Sequence, residues 1–209
     1  MAEKPTIVIY RKLDTEDFTK ALAEPDSKTE IGSGAAMTAA VSASYLHRAA
    51  ATLLAEKPED ERLVYLERNT EILRAYMVRL IDEDVKCRGP LRRAIKEGDA
   101  RKIEAARQAG VAIAQEIVYM MGQGLDFSDE LAGQVKGWTG SFLAESAELA
   151  ISAVRACMHY ILAMSSQSED DTYRFVIQRE NEVTLGQLQT RFESILVKTG
   201  SVLPRAKPE

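Results

Sequence analysis

The segment YLERNTEILRAYMVRLIDEDVK, residues 65–86, decides the fold because its apolar residues repeat with the spacing of a helix in a bundle. Leucines recur every seven residues, and other side chains fill the positions three or four residues further on. The resulting stripe consists of Leu66, Thr70, Leu73, Met77, Leu80, Asp84 and Cys87. The segment therefore predicts a long helix with one face turned toward neighbouring helices.

The rest of the chain predicts an all-α fold, an antiparallel helical bundle with long central helices and a short N-terminal extended segment. Small residues dominate one segment, which we place centrally because they let a neighbouring backbone approach closely. The predicted helices cover residues 15–23, 34–55, 59–88, 99–121, 141–164 and 170–198.

Several boundaries follow from turn-forming and chain-breaking residues. Residues 24–37 are predicted as a loop, Gly89-Pro90 as a break in the long helix, and GQGLDFSDE, residues 122–130, as a linker. Thr15 is the candidate N-cap of the first helix. The opening TIVIYRKL predicts one short strand, either pairing with a second subunit or forming an extended arm.

Composition excludes several classes of function. The 209 residues suit a single domain, with residues 1–14 as an extension and 200–209 as a tail. A net charge of −5 argues against binding nucleic acid. Two histidines and two isolated cysteines make a metal site improbable. We find no signal peptide and no apolar run of about 18 residues, so we expect a cytoplasmic protein without a membrane span.

Asp84 is the first candidate functional residue because it continues the inward stripe one turn beyond Leu80. A carboxylate among apolar side chains is costly unless it is paired, and desolvation raises its pKa toward the range useful for proton transfer. Pairing with an arginine across the bundle, or a position at the bundle's open end, explains the same pattern. Asp82 lies about 200° around the helix from Asp84 and is expected to meet solvent.

Three segments resemble the formiminotetrahydrofolate cyclodeaminase and methenyltetrahydrofolate cyclohydrolase family. FTKALAEPDSKTEIGSGAAMTAAVSASY is similar to its short helix, glycine-rich turn and small-residue helix, and ARQAGVAIAQEIVYMMGQG to its next alanine-rich helix. LIDED, residues 80–84, matches the family's LIDxD motif in full. The resemblance runs from about Phe18 to Asp171 and implies an α-helical homodimer.

The resemblance also implies a chemistry. Family members act on one-carbon folates, as hydrolases or lyases, without a metal or a prosthetic group, so tetrahydrofolate or a related tetrahydropterin is the expected substrate. The aspartates of the motif, Asp82 and Asp84, are implied to serve the proton transfers. Gly32, Ser33 and Gly34 align with a turn that approaches the folate, where glycines let the backbone come close to a flat ligand.

Arg88, one turn beyond Asp84, heads a basic stretch and is the candidate for binding the acidic groups of the substrate. It is equally a candidate partner for Asp84. Ala35 replaces a serine that is usual in the family, and Cys87 and Arg88 replace a small residue and a phenylalanine. These departures motivate the alternative of a non-catalytic helical dimer that binds a pterin-like ligand or a partner protein.

Overall fold

The computed structural model describes residues 8–25, 27, 29 and 31–202, and this part of the chain is all-α, as predicted. Short connections join the long helices, so neighbours along the chain run antiparallel. The elements are a 3-10 turn at Tyr10–Lys12, α1 Thr15–Ala23, α2 Ile31–Glu56, α3 Glu61–Glu97, α4 Ala100–Ala132, α5 Gly137–Ser165 and α6 Asp171–Thr199.

Helix α2 lies at the centre of the bundle, as its composition predicts. It contacts α3, α4 and α5, and its inward alanines are fully or almost fully buried. On α3, every member of the predicted stripe from Leu66 to Asp84 is buried, whereas Cys87 is half-buried. The seven-residue spacing therefore identified the packed face of the long helix correctly.

The N-terminal predictions need two corrections. Residues 10–12 form a 3-10 turn and not a strand, because Tyr10 is buried and the turn packs on α3; residues 6 and 7 of the predicted strand lie outside the described residues. The N-cap of α1 is Asp14 and not Thr15, because the Asp14 side chain accepts a hydrogen bond of 2.9 Å from the Asp17 amide.

Three predicted breaks are continuous helix. Helix α2 already begins at Ile31, so the glycine-rich segment is its first turn. Helix α3 passes through Gly89-Pro90 because Leu91 and Ala94 beyond the proline are buried. Helix α4 passes through residues 122–130, where two buried glycines let side chains of α3 and α6 approach closely. Packing outweighs the local preference of glycine and proline in these places.

Helix α5 is long and apolar enough by length and composition to cross a membrane, with a mean hydropathy of 1.3 over its most apolar 18 residues. Of that window, 56% is buried inside the protein. A core helix passes the same test, and α5 contacts α2, α4 and α6.

Candidate functional site

The carboxylate of Asp84 lies against the N-terminus of α2, deep inside the protein. Asp84 is 1% exposed and Ser33 is fully buried. The Ser33 amide donates a hydrogen bond of 2.9 Å to Asp84 Oδ2, and the Ser33 hydroxyl lies 2.9 Å from the same oxygen. The hydroxyl is also 3.1 Å from the carbonyl oxygen of Ile81. Two predicted site segments, LIDED and IGSGA, therefore meet directly.

The start of a helix explains this contact. The first amides of α2 have no partner within their own helix, and the helix dipole places partial positive charge there. A carboxylate satisfies both requirements, so Asp84 of α3 acts as an N-terminal cap for α2. The contact has two consequences: it anchors α2 on α3, and it holds the Asp84 carboxylate in a fixed position.

Gly32 makes room for the carboxylate. A Cβ atom at this position would lie 2.6 Å from Asp84 Cγ and closer still to Oδ1, so no larger residue fits without movement. The neighbouring Gly34 is different, because its Cβ position lies 3.8 Å from a methyl group of Leu22 on α1. Of the three predicted turn residues, Gly32 and Ser33 contact Asp84, and Gly34 faces α1.

Burial raises the pKa of Asp84, and the two hydrogen bonds from Ser33 oppose this rise without cancelling it. No lysine or arginine of the described residues forms an ion pair with Asp84, so the predicted arginine partner is not found among them. Asp84 is therefore a carboxyl group whose protonated form is favoured relative to an aspartate in water.

Arg88 faces α5 rather than Asp84. Its guanidinium carbon lies 5.1 Å from the ring centroid of Tyr160, a residue 4% exposed. Desolvation lowers the pKa of Arg88. Burial raises the pKa of the Tyr160 phenol, and the charge of Arg88 opposes this rise without cancelling it. A Cβ atom at Gly110 of α4 would lie 2.8 Å from the Tyr160 hydroxyl oxygen. Sequence reasoning missed Tyr160, since nothing in α5 marks it as a neighbour of the motif.

The charge of Asp84 also affects two cysteines. Burial raises the pKa of Cys87, and it raises the pKa of Cys157 to about 12, with the charge of Asp84 adding to both. A thiol held in its neutral form is a poor nucleophile. The raised pKa values therefore do not favour either cysteine as a nucleophile.

Asp82 is buried, and the prediction that it meets solvent is wrong. The residue is 7% exposed, and its carboxylate forms an ion pair of 2.6 Å with Arg11. The 3-10 turn that carries Arg11 packs on this side of α3. The helical spacing placed Asp82 correctly on a different face from Asp84, but it could not show that the N-terminal segment covers that face.

Other features of the described residues lie away from the carboxylate. A cavity of about 460 Å³ opens between α3 and α4 beside Pro90 and Arg93, and one of about 420 Å³ lies beside Arg107 and Asp170. Neither is lined by Asp84. Among the described residues no group of three or more histidine, cysteine, aspartate or glutamate side chains could hold a metal ion.

Fold and geometry together define a class of protein: an all-α bundle in which a carboxylate of one long helix meets the first turn of a central small-residue helix. The crystal structure of formiminotetrahydrofolate cyclodeaminase from Thermotoga maritima is similar, with a TM-score of 0.82 over 90% of this chain and 96% of that one. The two sequences are 15% identical, so the likeness shows a common fold. No family model and no curated protein sequence matches the chain.

Proposed function

We propose that the protein is a one-carbon tetrahydropterin enzyme, a cyclohydrolase or a formimino cyclodeaminase that acts on a tetrahydrofolate-type substrate. The observation that carries the proposal is the Asp84 carboxyl group, which is buried, has a raised pKa and is fixed at the start of α2. The fold that this chain shares with a formiminotetrahydrofolate cyclodeaminase supports the substrate class.

In this proposal Asp84 is the general acid and base. A carboxyl group with a raised pKa can take a proton from the attacking water or nitrogen and return it to the leaving group. Its negative charge, once formed, suits a cationic methenyl or amidinium carbon. In the same proposal Asp82 supports this chemistry, and Gly32, Ser33 and Gly34 form the helix start beside which the planar heterocycle binds. The cationic Arg88 binds an acidic group of the substrate.

The remaining parts of the proposal follow the family resemblance. We propose that residues 1–209 form one domain, that the protein is a cytoplasmic homodimer, and that no prosthetic group or metal takes part. The basic stretch that begins near Arg88 then faces a folate-type small molecule and not a nucleic acid, in line with the net charge of −5.

Hydrolysis of methenyl-tetrahydrofolate and release of ammonia from formimino-tetrahydrofolate test the proposal. We expect wild type to catalyse at least one reaction, and Asp84→Asn to lose roughly 100-fold or more of that rate, as expected for a general acid–base group. Glu83→Gln is the matched control, since Glu83 is the adjacent carboxylate and is paired with Lys86 at the surface. Equal rates in wild type and Asp84→Asn, or no rate above background for either substrate, would remove the proposal.

One observation favours a second function, that of a non-catalytic helical dimer which binds a pterin-like ligand or a partner protein. Asp84 is 1% exposed and caps α2, a role that needs no substrate. A thermal-shift screen across folates and related pterins separates the two. Ligands that bind only the native state raise its melting temperature whether or not turnover occurs. A shift without turnover favours the binding protein.

A further inference from the structure

Arg11 contacts the LIDED motif. It lies in the part of the chain, before Phe18, to which the family resemblance does not extend. Both oxygens of Asp82 are bound by Arg11: the guanidinium Nη1 lies 2.6 Å from Oδ2, and the Arg11 amide donates a hydrogen bond of 3.3 Å to Oδ1. These are the hydrogen bonds that Asp82 makes among the described residues. A carboxylate with both oxygens occupied by one partner is fixed in position.

The 3-10 turn that carries Arg11 is anchored by its neighbours. Tyr10 is buried, and the Leu13 amide closes the 3-10 turn with a hydrogen bond of 3.1 Å to the Tyr10 carbonyl oxygen. Helix α1 follows directly, and its Leu22 lies alongside Gly34 at the start of α2. Residues 10–23 therefore contact the candidate site at two points, Arg11 at Asp82 and Leu22 at Gly34.

The two aspartates of the motif therefore have different surroundings. Asp82 is paired with a cation, whereas Asp84 is bound by a serine and has no cation among the described residues. To accept a proton from a substrate, Asp82 would first have to release Arg11. Two carboxyl groups in contrasting environments commonly take different roles in catalysis.

We propose that Arg11 is a positioning residue that acts through Asp82, and that this pair holds the motif while Asp84 alone transfers protons. The inference rests on the proposed function and deepens it. It assigns a role to a residue that lies before Phe18, where the family resemblance begins, and it makes the 3-10 turn at Tyr10–Lys12 part of the site.

The test compares kcat for Arg11→Ala, Asp82→Asn and the double variant, at a temperature well below the melting temperature of each. We expect each single variant to lose on the order of 10-fold in kcat, as for a displaced reacting group, and the double variant to lose no more than the worse single variant. Arg11→Lys, which keeps a cation, should recover most of the loss. Lys12→Ala is the matched control, because Lys12 is an exposed cation next to Arg11 in the same turn.

Urea unfolding of wild type, the two single variants and the double variant gives the coupling free energy between Arg11 and Asp82 in stability. Comparing it with the kcat values distinguishes the ways in which the inference can fail. Coupling between the two residues in stability, without any loss of kcat, means a structural pair only and overturns the inference. Multiplicative losses of kcat in the double variant overturn it too, because the residues then act independently. An inactive wild type removes the proposed function and this inference with it, whereas an active wild type with unaffected Arg11 variants removes the inference alone.

Discussion

Replacing Gly32 by alanine tests the central contact of the site, because a single methyl group would intrude on the Asp84 carboxylate. The new Cβ would lie 2.6 Å from Asp84 Cγ, about 1 Å inside the normal separation of carbon atoms. Gly32 has no positive φ, so alanine is compatible with the backbone there. Any loss of stability therefore reports on packing and on the hydrogen bonds that Asp84 receives.

The expected magnitude comes from three contributions. Overpacking costs about 1 to 3 kcal/mol. Displacing the carboxylate weakens two hydrogen bonds from Ser33 to a charged acceptor, each worth about 1.5 to 3 kcal/mol when intact. Alanine returns up to about 1 kcal/mol of helix propensity. With partial relaxation, we expect Gly32→Ala to lower the free energy of unfolding by about 2 to 4 kcal/mol.

Gly34→Ala is the matched control in the same helical turn. Its new methyl group would lie 3.8 Å from Leu22, which is ordinary van der Waals contact, so the variant should be as stable as wild type or more stable by up to about 1 kcal/mol. Urea unfolding followed by circular dichroism measures both variants, provided the m-value is unchanged. A Gly32→Ala variant that unfolds at or above the midpoint of Gly34→Ala would refute the placement of Asp84. Adding Asp84→Ala should recover part of the loss.

Two further predictions concern Asp84 and the packing of the glycines. The pKa of Asp84 is higher in the folded protein than in the unfolded chain, so the unfolded chain releases this proton at a lower pH. The free energy of unfolding should therefore fall as the pH rises from about 4 through the raised pKa. Unfolding curves recorded across this range should show that decrease for wild type, and the contribution of Asp84 to it should be missing in Asp84→Asn. Gly124→Ala should lower the free energy of unfolding by up to about 2 kcal/mol, because its Cβ would lie 3.2 Å from Leu73 and the overpacking cost of about 1 to 3 kcal/mol exceeds the helix propensity of up to about 1 kcal/mol that alanine returns. Gly186→Ala, in the exposed face of α6, should instead raise it by about 0.5 to 1 kcal/mol. Denaturant midpoints check both glycine variants, and a reversed order would contradict the assigned helix packing.

Capping signals and periodic patterns were sufficient to predict much of the helical layout. The last helix begins at Asp171 behind the capping Asp170, close to its predicted start, because a local aspartate satisfies the first amides. The predictions failed where glycine and proline signals competed with burial. Gly122 and Gly124 signalled a linker, yet they lie inside α4, where Leu188 and Leu73 pack against them.

The candidate site likewise contains residues that the sequence identified and residues that it did not. Periodicity placed Asp84 on the inward stripe one turn beyond Leu80, and the match of LIDED to a family motif singled it out as a candidate; its burial was seen only in the structure. Gly32 and Ser33 were found through the resemblance of their segment to a known turn. Tyr160 and Arg11 were missed, because neither has a local pattern that points to the motif.

The sequence by itself determined that residues 31–202 form a helical bundle, which face of the long helix is packed, and that Asp84 lies on that face. These depend on helical spacing, which is a local property. Tertiary structure alone decided what each carboxylate meets: Ser33 at the start of α2 for Asp84, and Arg11 of the N-terminal segment for Asp82. Those partners lie 51 and 71 residues away along the chain, so only the packing of the elements brings them together.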